Sequence, residues 1–254
     1  MGFLSFLNPA LDTVFGPLLK ISYFWAIFIL SIVLSLLISL IYKYTTNQSL
    51  MKDLKMEIKS FQKQMKDLKH DPKQMMIVQK KAMETNMKYM MHSMRPMIFT
   101  FVPIIIIFGW MTAHFAYEPI MPREEFTTTL MFDEGSGNAT IVVPEEIELL
   151  SDATKEVLNG EVKWKLKGEE GDYLLEYQYN DKSYTKEVII TNEKVYAEPI
   201  KSIRDGDVKS VKISNDPVKI INLYIKGWKL GWIGTYIVLS IIFSMLIRKW
   251  LKIY

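Results

Sequence analysis

The residues with the strongest chemical patterning are methionines and lysines. Eleven of the sixteen methionines fall between residues 45 and 97: Met51, Met56, Met65, Met75, Met76, Met83, Met87, Met90, Met91, Met94 and Met97. Met51, Leu54, Ile58, Phe61, Met65 and Leu68 follow a 3-4-3-4-3 spacing. After Asp71-Pro72, Met76, Met83, Met90 and Met97 recur every seven residues, with Met87 and Met94 between them. The pattern predicts an antiparallel coiled-coil hairpin with these residues in its seam. Thioether side chains are flexible and polarizable, so they adapt to apolar surfaces of many shapes. Met56, Met75 and Met91 fall off the predicted seam and are the candidates for contact with an apolar polypeptide. Lys52, Lys59, Lys66 and Lys73 repeat away from the seam, and Lys55, Lys63 and Lys69 widen the basic face. Such a face is either solvated or meets an anionic partner, lipid headgroups or ribosomal RNA.

Covalent chemistry has no comparable signal. The chain has no cysteine, which excludes disulfides, thiolate metal sites and cysteine nucleophiles. His70, His92 and His114 lack ligand spacing. There is no phosphate-cradling glycine loop and no nucleophile elbow. The expectation is a protein that is not an enzyme and needs no cofactor or metal.

Three apolar stretches position these groups. Residues 21–42, 97–117 and 230–247 contain no Asp, Glu, Lys or Arg. Each approaches the roughly 20 residues needed to cross a bilayer. Trp228, Trp232 and Trp250 are expected as interface anchors for the third. Residues 1–20 read as a short amphipathic segment with Leu4, Leu7, Leu11, Val14, Phe15, Leu18 and Leu19 at helical spacing. The alternative is a ragged extension of the first span. The run before Lys20 does not read as a cleavable signal.

Charge orients the spans. Residues 43–96 hold 12 basic and 5 acidic residues, whereas residues 118–229 hold 15 basic and 22 acidic ones. Basic loops stay in the cytoplasm. The hairpin (43–96) and tail (248–254) are therefore expected inside, and the N-terminus and residues 118–229 outside. Lys226 and Lys229 run against this rule.

Residues 118–229 read as a small antiparallel sandwich or barrel. Alternating runs at Phe126–Phe132, Ala139–Val143, Glu161–Lys167, Tyr173–Tyr179, Ser183–Thr191 and Val208–Ser214 are separated by turn residues. Ser151–Leu158 is expected to be a short helix. Asn138-Ala139-Thr140 matches a glycosylation acceptor, as does Asn47-Gln48-Ser49 on the expected cytoplasmic side. The fold class is an α-helical membrane protein with three transmembrane helices, a cytoplasmic antiparallel coiled-coil hairpin and an extracytoplasmic all-β domain.

Within the spans, Ser31, Ser35 and Ser39 form one stripe, joined by Thr100, Thr235 and Ser240 as candidate polar lining. Small hydroxylated residues either let helices pack closely or line a hydrated groove. A groove lowers the cost of bringing polar backbone into lipid.

An interfacial helix, a first span, a basic hairpin and two further spans together resemble the core of the YidC/Oxa insertase superfamily. The chain looks like its archaeal YidC-like members, related to the third subunit of the ER membrane protein complex and to the membrane subunit of the tail-anchored-protein receptor. The resemblance covers residues 1–117 and 230–254. It implies an insertase or insertion chaperone whose partners are nascent membrane proteins, the ribosome, the bilayer and other insertion-complex or translocon subunits. Many bacterial members carry an arginine in the first core span. Nothing in residues 21–42 matches it, which leaves the serine stripe to supply hydration. The rival readings are a membrane sensor with an extracellular β ligand domain and a coiled-coil scaffold.

Overall fold

The computed structural model describes residues 8–222 and 229–253. Leu4, Leu7, Lys226 and Trp228 lie outside the described residues. The chain divides into two compact units. One joins the residues up to Tyr23 to Gly109–Trp232; the other joins Phe24–Phe108 to the residues from Ile233 onward.

In the second unit, α2 (Tyr23–Thr45) carries no charge before Lys43 in its last turn. It is long enough to cross a bilayer, as are α4 (Pro72–Phe115) and α5 (Trp232–Trp250). Two hydroxyls of α2 find partners on their own helix. Ser31 Oγ donates to the Ile27 carbonyl at 2.7 Å and Thr45 Oγ1 to Ile41 at 2.6 Å. Back-bonding of this kind removes an unsatisfied hydroxyl from apolar surroundings.

α3 (Gln48–Asp67) starts where Asn47 caps it, its Oδ1 accepting from the Leu50 amide at 3.2 Å. The second acceptor motif of the sequence is thus a helix cap. Asp71 caps α4 as expected, its Oδ1 accepting from the amides of Lys73 and Gln74 at 3.1 Å each. Pro72 occupies the first helical turn, where its missing N–H costs nothing.

α4 carries the expected return arm and the expected second span in one piece. It is one helix of 44 residues, continuous through Pro96 and Pro103. Each proline removes one ladder bond, and neither ends the helix.

In the first unit, α1 (Asn8–Leu19) closes with the Lys20 amide bonded to the Pro17 carbonyl. It is separate from α2, so it is no extension of the first span. The β domain is two antiparallel sheets. One has the order β3 (Ile147–Leu149), β5 (Glu161–Gly168), β1 (Phe126–Phe132), β9 (Val208–Ile213), β8 (Ile200–Asp205). The other has the order β4 (Thr154–Glu156), β2 (Asn138–Val142), β6 (Gly171–Tyr179), β7 (Lys182–Ile190). Alternate residues from both sheets, among them Leu130, Trp164, Leu166, Leu175, Tyr177 and Val188, share one core. β6 and β7 pair along their full length through a tight turn at Asn180 and Asp181, both at positive φ. That conformation suits short Asx residues in a two-residue hairpin. A further ribbon pairs β10 (Lys219–Asn222) with β11 (Lys229–Gly231).

The helix expected at Ser151–Leu158 is absent. Residues 154–156 form strand β4 against β2, and Trp164 Nε1 donates to the Ala153 carbonyl at 2.9 Å. The free edge of β2 supplies the bonds an isolated helix of two turns would have to find in itself. Lys186 stands on the inward row of β7, 4% exposed, with Nζ donating to the Glu187 carbonyl. Burial holds its proton affinity below that of an ordinary lysine, with Glu187 partly offsetting.

Candidate functional site

On α3 the covered face matches the sequence pattern. Met51 and Leu54 are buried, and Ile58, Phe61, Met65 and Leu68 are half-buried. Each fully buried side chain contributes about 1.5–3 kcal/mol relative to exposure.

On α4 the covered face is not the methionine row. Met76, Met83, Met90 and Met97 are 68%, 66%, 46% and 62% exposed, and Met87 and Met94 are also exposed. The covered residues are Met75, Val78, Ala82, Thr85 and Tyr89, again at 3-4 spacing, followed by Pro96 and Thr100. The seam expected from the methionine heptad is therefore corrected. Ala82 and Thr85 are small, and small residues let a neighbouring element approach an α-helix closely. Met75, expected to be off the seam, belongs to the covered face, while Met56 and Met91 are exposed.

The exposed methionines continue without a break into the apolar part of α4. Met83, Met87, Met90, Met94, Met97, Phe101 and Ile105 are exposed at successive steps of three or four residues. At 100° per residue these positions share one helix face, running about 33 Å from Met83 to Ile105. The seven lysines Lys52, Lys55, Lys59, Lys63, Lys66, Lys69 and Lys73 are all exposed.

The hydroxyl stripe of α2 separates into three roles. Ser31 is buried and satisfied on its own helix. Ser39 is buried with no hydrogen-bond partner for its hydroxyl. Ser35 reaches a hollow of about 410 Å³, shared with Ile38, Tyr236, Ser240, Ser244 and Arg248. Ser35 Oγ donates to the Ser240 carbonyl at 3.4 Å, and Ser240 Oγ to Ile237 at 3.0 Å. Thr100 and Thr235 are buried, and neither lines this hollow. A second hollow of about 720 Å³ is apolar, lined by Val33, Leu36, Leu37, Leu40, Tyr44 and Phe99 among others.

Arg248 is the charged residue of the Ser35 hollow that sequence reading missed. Assigned to the tail, it lies in the last turn of α5, its guanidinium 5.1 Å from the centroid of the Tyr42 ring. A cation over an aromatic face, at a helix C-terminus, is favoured twice. Amphipathic tails of this kind were foreseeable from snorkelling. Asn138 is exposed at the start of β2, while Thr140 of its acceptor motif bonds Thr154 at 2.8 Å. No group of His, Asp or Glu suited to hold a metal occurs among the described residues.

Among the described residues, three apolar helices of spanning length and a β-rich region describe a multi-pass membrane protein. No curated protein and no solved structure matches the chain. The family described as integral membrane protein EMC3/TMCO1-like matches residues 12–143, just over half of the sequence. That match takes in α1 through β2, so it reaches into the β domain and stops short of α5. The chain belongs to the EMC3/TMCO1-like family of integral membrane proteins, a family linked to membrane-protein insertion.

Proposed function

We propose that the protein is a membrane-protein insertase or insertion chaperone that performs no covalent chemistry. The observation that carries this reading is the exposed apolar row of α4. A methionine row in water is costly unless something apolar visits it. Here the row leads along one unbroken helix into a stretch that is apolar enough to be lipid-facing. An emerging hydrophobic segment captured at Met83–Met94 is passed along the same face to Phe101 and Ile105. Met56 and Met91 add adaptable contact beside it.

In this reading α3 and the first part of α4 pair as a coiled coil through their covered faces. The excess of basic residues over 43–96 keeps that hairpin in the cytoplasm, with the β domain outside. Its lysines meet ribosomal RNA or anionic lipid. The hollow at Ser35, Ser240, Ser244 and Arg248 hydrates the polar flank of the client and offers one positive charge to it. The groove residues are thus narrowed from the serine stripe to the α2–α5 hollow. The clients are nascent membrane proteins, and further subunits of an insertion complex fit the family.

Insertion of a single-span client into proteoliposomes tests the proposal. Met83→Ser, Met87→Ser, Met90→Ser and Met94→Ser combined should reduce insertion at least tenfold with the fold intact. Full insertion by that variant would overturn it.

A further inference from the structure

A polar cluster in the β-domain unit has no part in the insertion reading. Trp110 Nε1, near the end of α4, donates to Asp12 Oδ1 of α1 at 2.6 Å. One turn later His114 places Nε2 3.3 Å from the same oxygen. The other ring nitrogen, Nδ1, lies 3.1 Å from the backbone carbonyl oxygen of Lys194, in the segment after β7. His114 is 7% exposed. A backbone carbonyl and an ionised carboxylate are both acceptors only. An imidazole that holds both must carry a proton on each nitrogen. Loss of either proton sets a nitrogen lone pair against an oxygen lone pair and breaks one of the two links.

We propose that His114 is a proton-dependent clasp through which the β domain fixes the short helix α1. The segment after β7 is built as the brace. Lys194 Nζ donates to the Ile21 carbonyl and sits 4.3 Å from the centroid of the Tyr23 ring. Tyr196 accepts from the Ala116 amide at 3.1 Å and donates to the Thr112 carbonyl. The protonated histidine ties this brace to Asp12. Without that proton α1 keeps the Trp110–Asp12 bond and the ring contact of Phe15 with Trp110, 5.3 Å between centroids. The β domain then no longer holds it through the histidine.

The surrounding charges do not mimic this switch. On its own helix His114 faces the Trp110 ring at 4.7 Å. From α1 it meets Asp12. Glu118 accepts from the Tyr23 hydroxyl at 3.0 Å. Burial pushes the Tyr196 hydroxyl up to about 12, so it stays neutral through the useful range. Burial lowers the proton affinity of Lys194, with Glu118 partly offsetting, so Lys194 is the group that needs a control.

The absence of cysteine makes labelling selective. Spin labels on Val14→Cys in α1 and Asp172→Cys in β6, in the full chain in lipid nanodiscs, report the distance from helix to domain. The expected result is one narrow distribution in acid that broadens reversibly as the pH is raised, through a single-proton transition. His114→Gln should abolish the transition, and Lys194→Gln should retain it. An unchanged distribution in the labelled chain with His114 intact would overturn the clasp. So would a transition that survives His114→Gln or disappears with Lys194→Gln. Nitrogen NMR of the His114 ring, with His70→Gln and His92→Gln, should show both nitrogens protonated at the acid end. One unprotonated nitrogen there would also overturn it.

Discussion

The helices α3 and α4 use apolar residues in opposite ways. α3 covers the large apolar residues Met51, Leu54 and Phe61 and turns its lysines outward. α4 covers small and mixed residues, Ala82, Thr85 and Tyr89, and leaves its methionines open. The most hydrophobic row of a helix is therefore not always its covered row. On α4 the covered row carries the smaller side chains and the methionine row stays open.

Four substitutions sharpen or break that contrast. The largest effect belongs to the covered row of α3. Leu54→Ala should lower the stability of the hairpin by about 2–5 kcal/mol, read by hydrogen exchange of α3 amides. On the covered row of α4, Thr85→Leu should cost about 1–3 kcal/mol through overpacking, by the same measurement. A gain there would show that the small residue is not a packing requirement. Asp71→Ala removes the cap between the two helices and should cost about 0.5–2 kcal/mol, concentrated in the first turn of α4. Met83→Ala on the open row should change stability by less than about 0.5 kcal/mol. A loss of several times that would place Met83 in a packed seam and erase the contrast.

The serine stripe divides along the same line between packing and openness. Ser39→Ala should stabilise the helical unit by about 1 kcal/mol, because it removes a buried hydroxyl with no partner. Thermal unfolding in detergent checks it, and no gain would mean that water reaches Ser39.

The sequence made α3 legible because it offers one apolar row and one only. α4 offers two rows at the same period, and periodicity alone does not rank them. Pro96 and Pro103 leave α4 continuous, because a proline costs ladder bonds rather than forbidding a long helix. The strands with strong alternation, β1, β5, β6, β7 and β9, were readable. β3, β4 and β8 were not: β3 and β4 are three residues each, and β8 is an edge strand with little buried surface to mark an alternation. The histidine clasp was hidden because Asp12, His114 and Lys194 share no local spacing. Arg248 was hidden by its place at the boundary of an apolar run, where side-chain reach decides what it meets.

The central claim is that the open methionine row of α4 receives hydrophobic segments. A photoreactive amino acid placed in turn at Met83, Met90 and Met94, and at Val78, Ala82 and Tyr89, tests it on ribosomes translating a membrane protein. The account predicts strong client adducts from the three methionine positions and few from the covered three. Equal labelling of both rows, or adducts confined to the covered row, would contradict it.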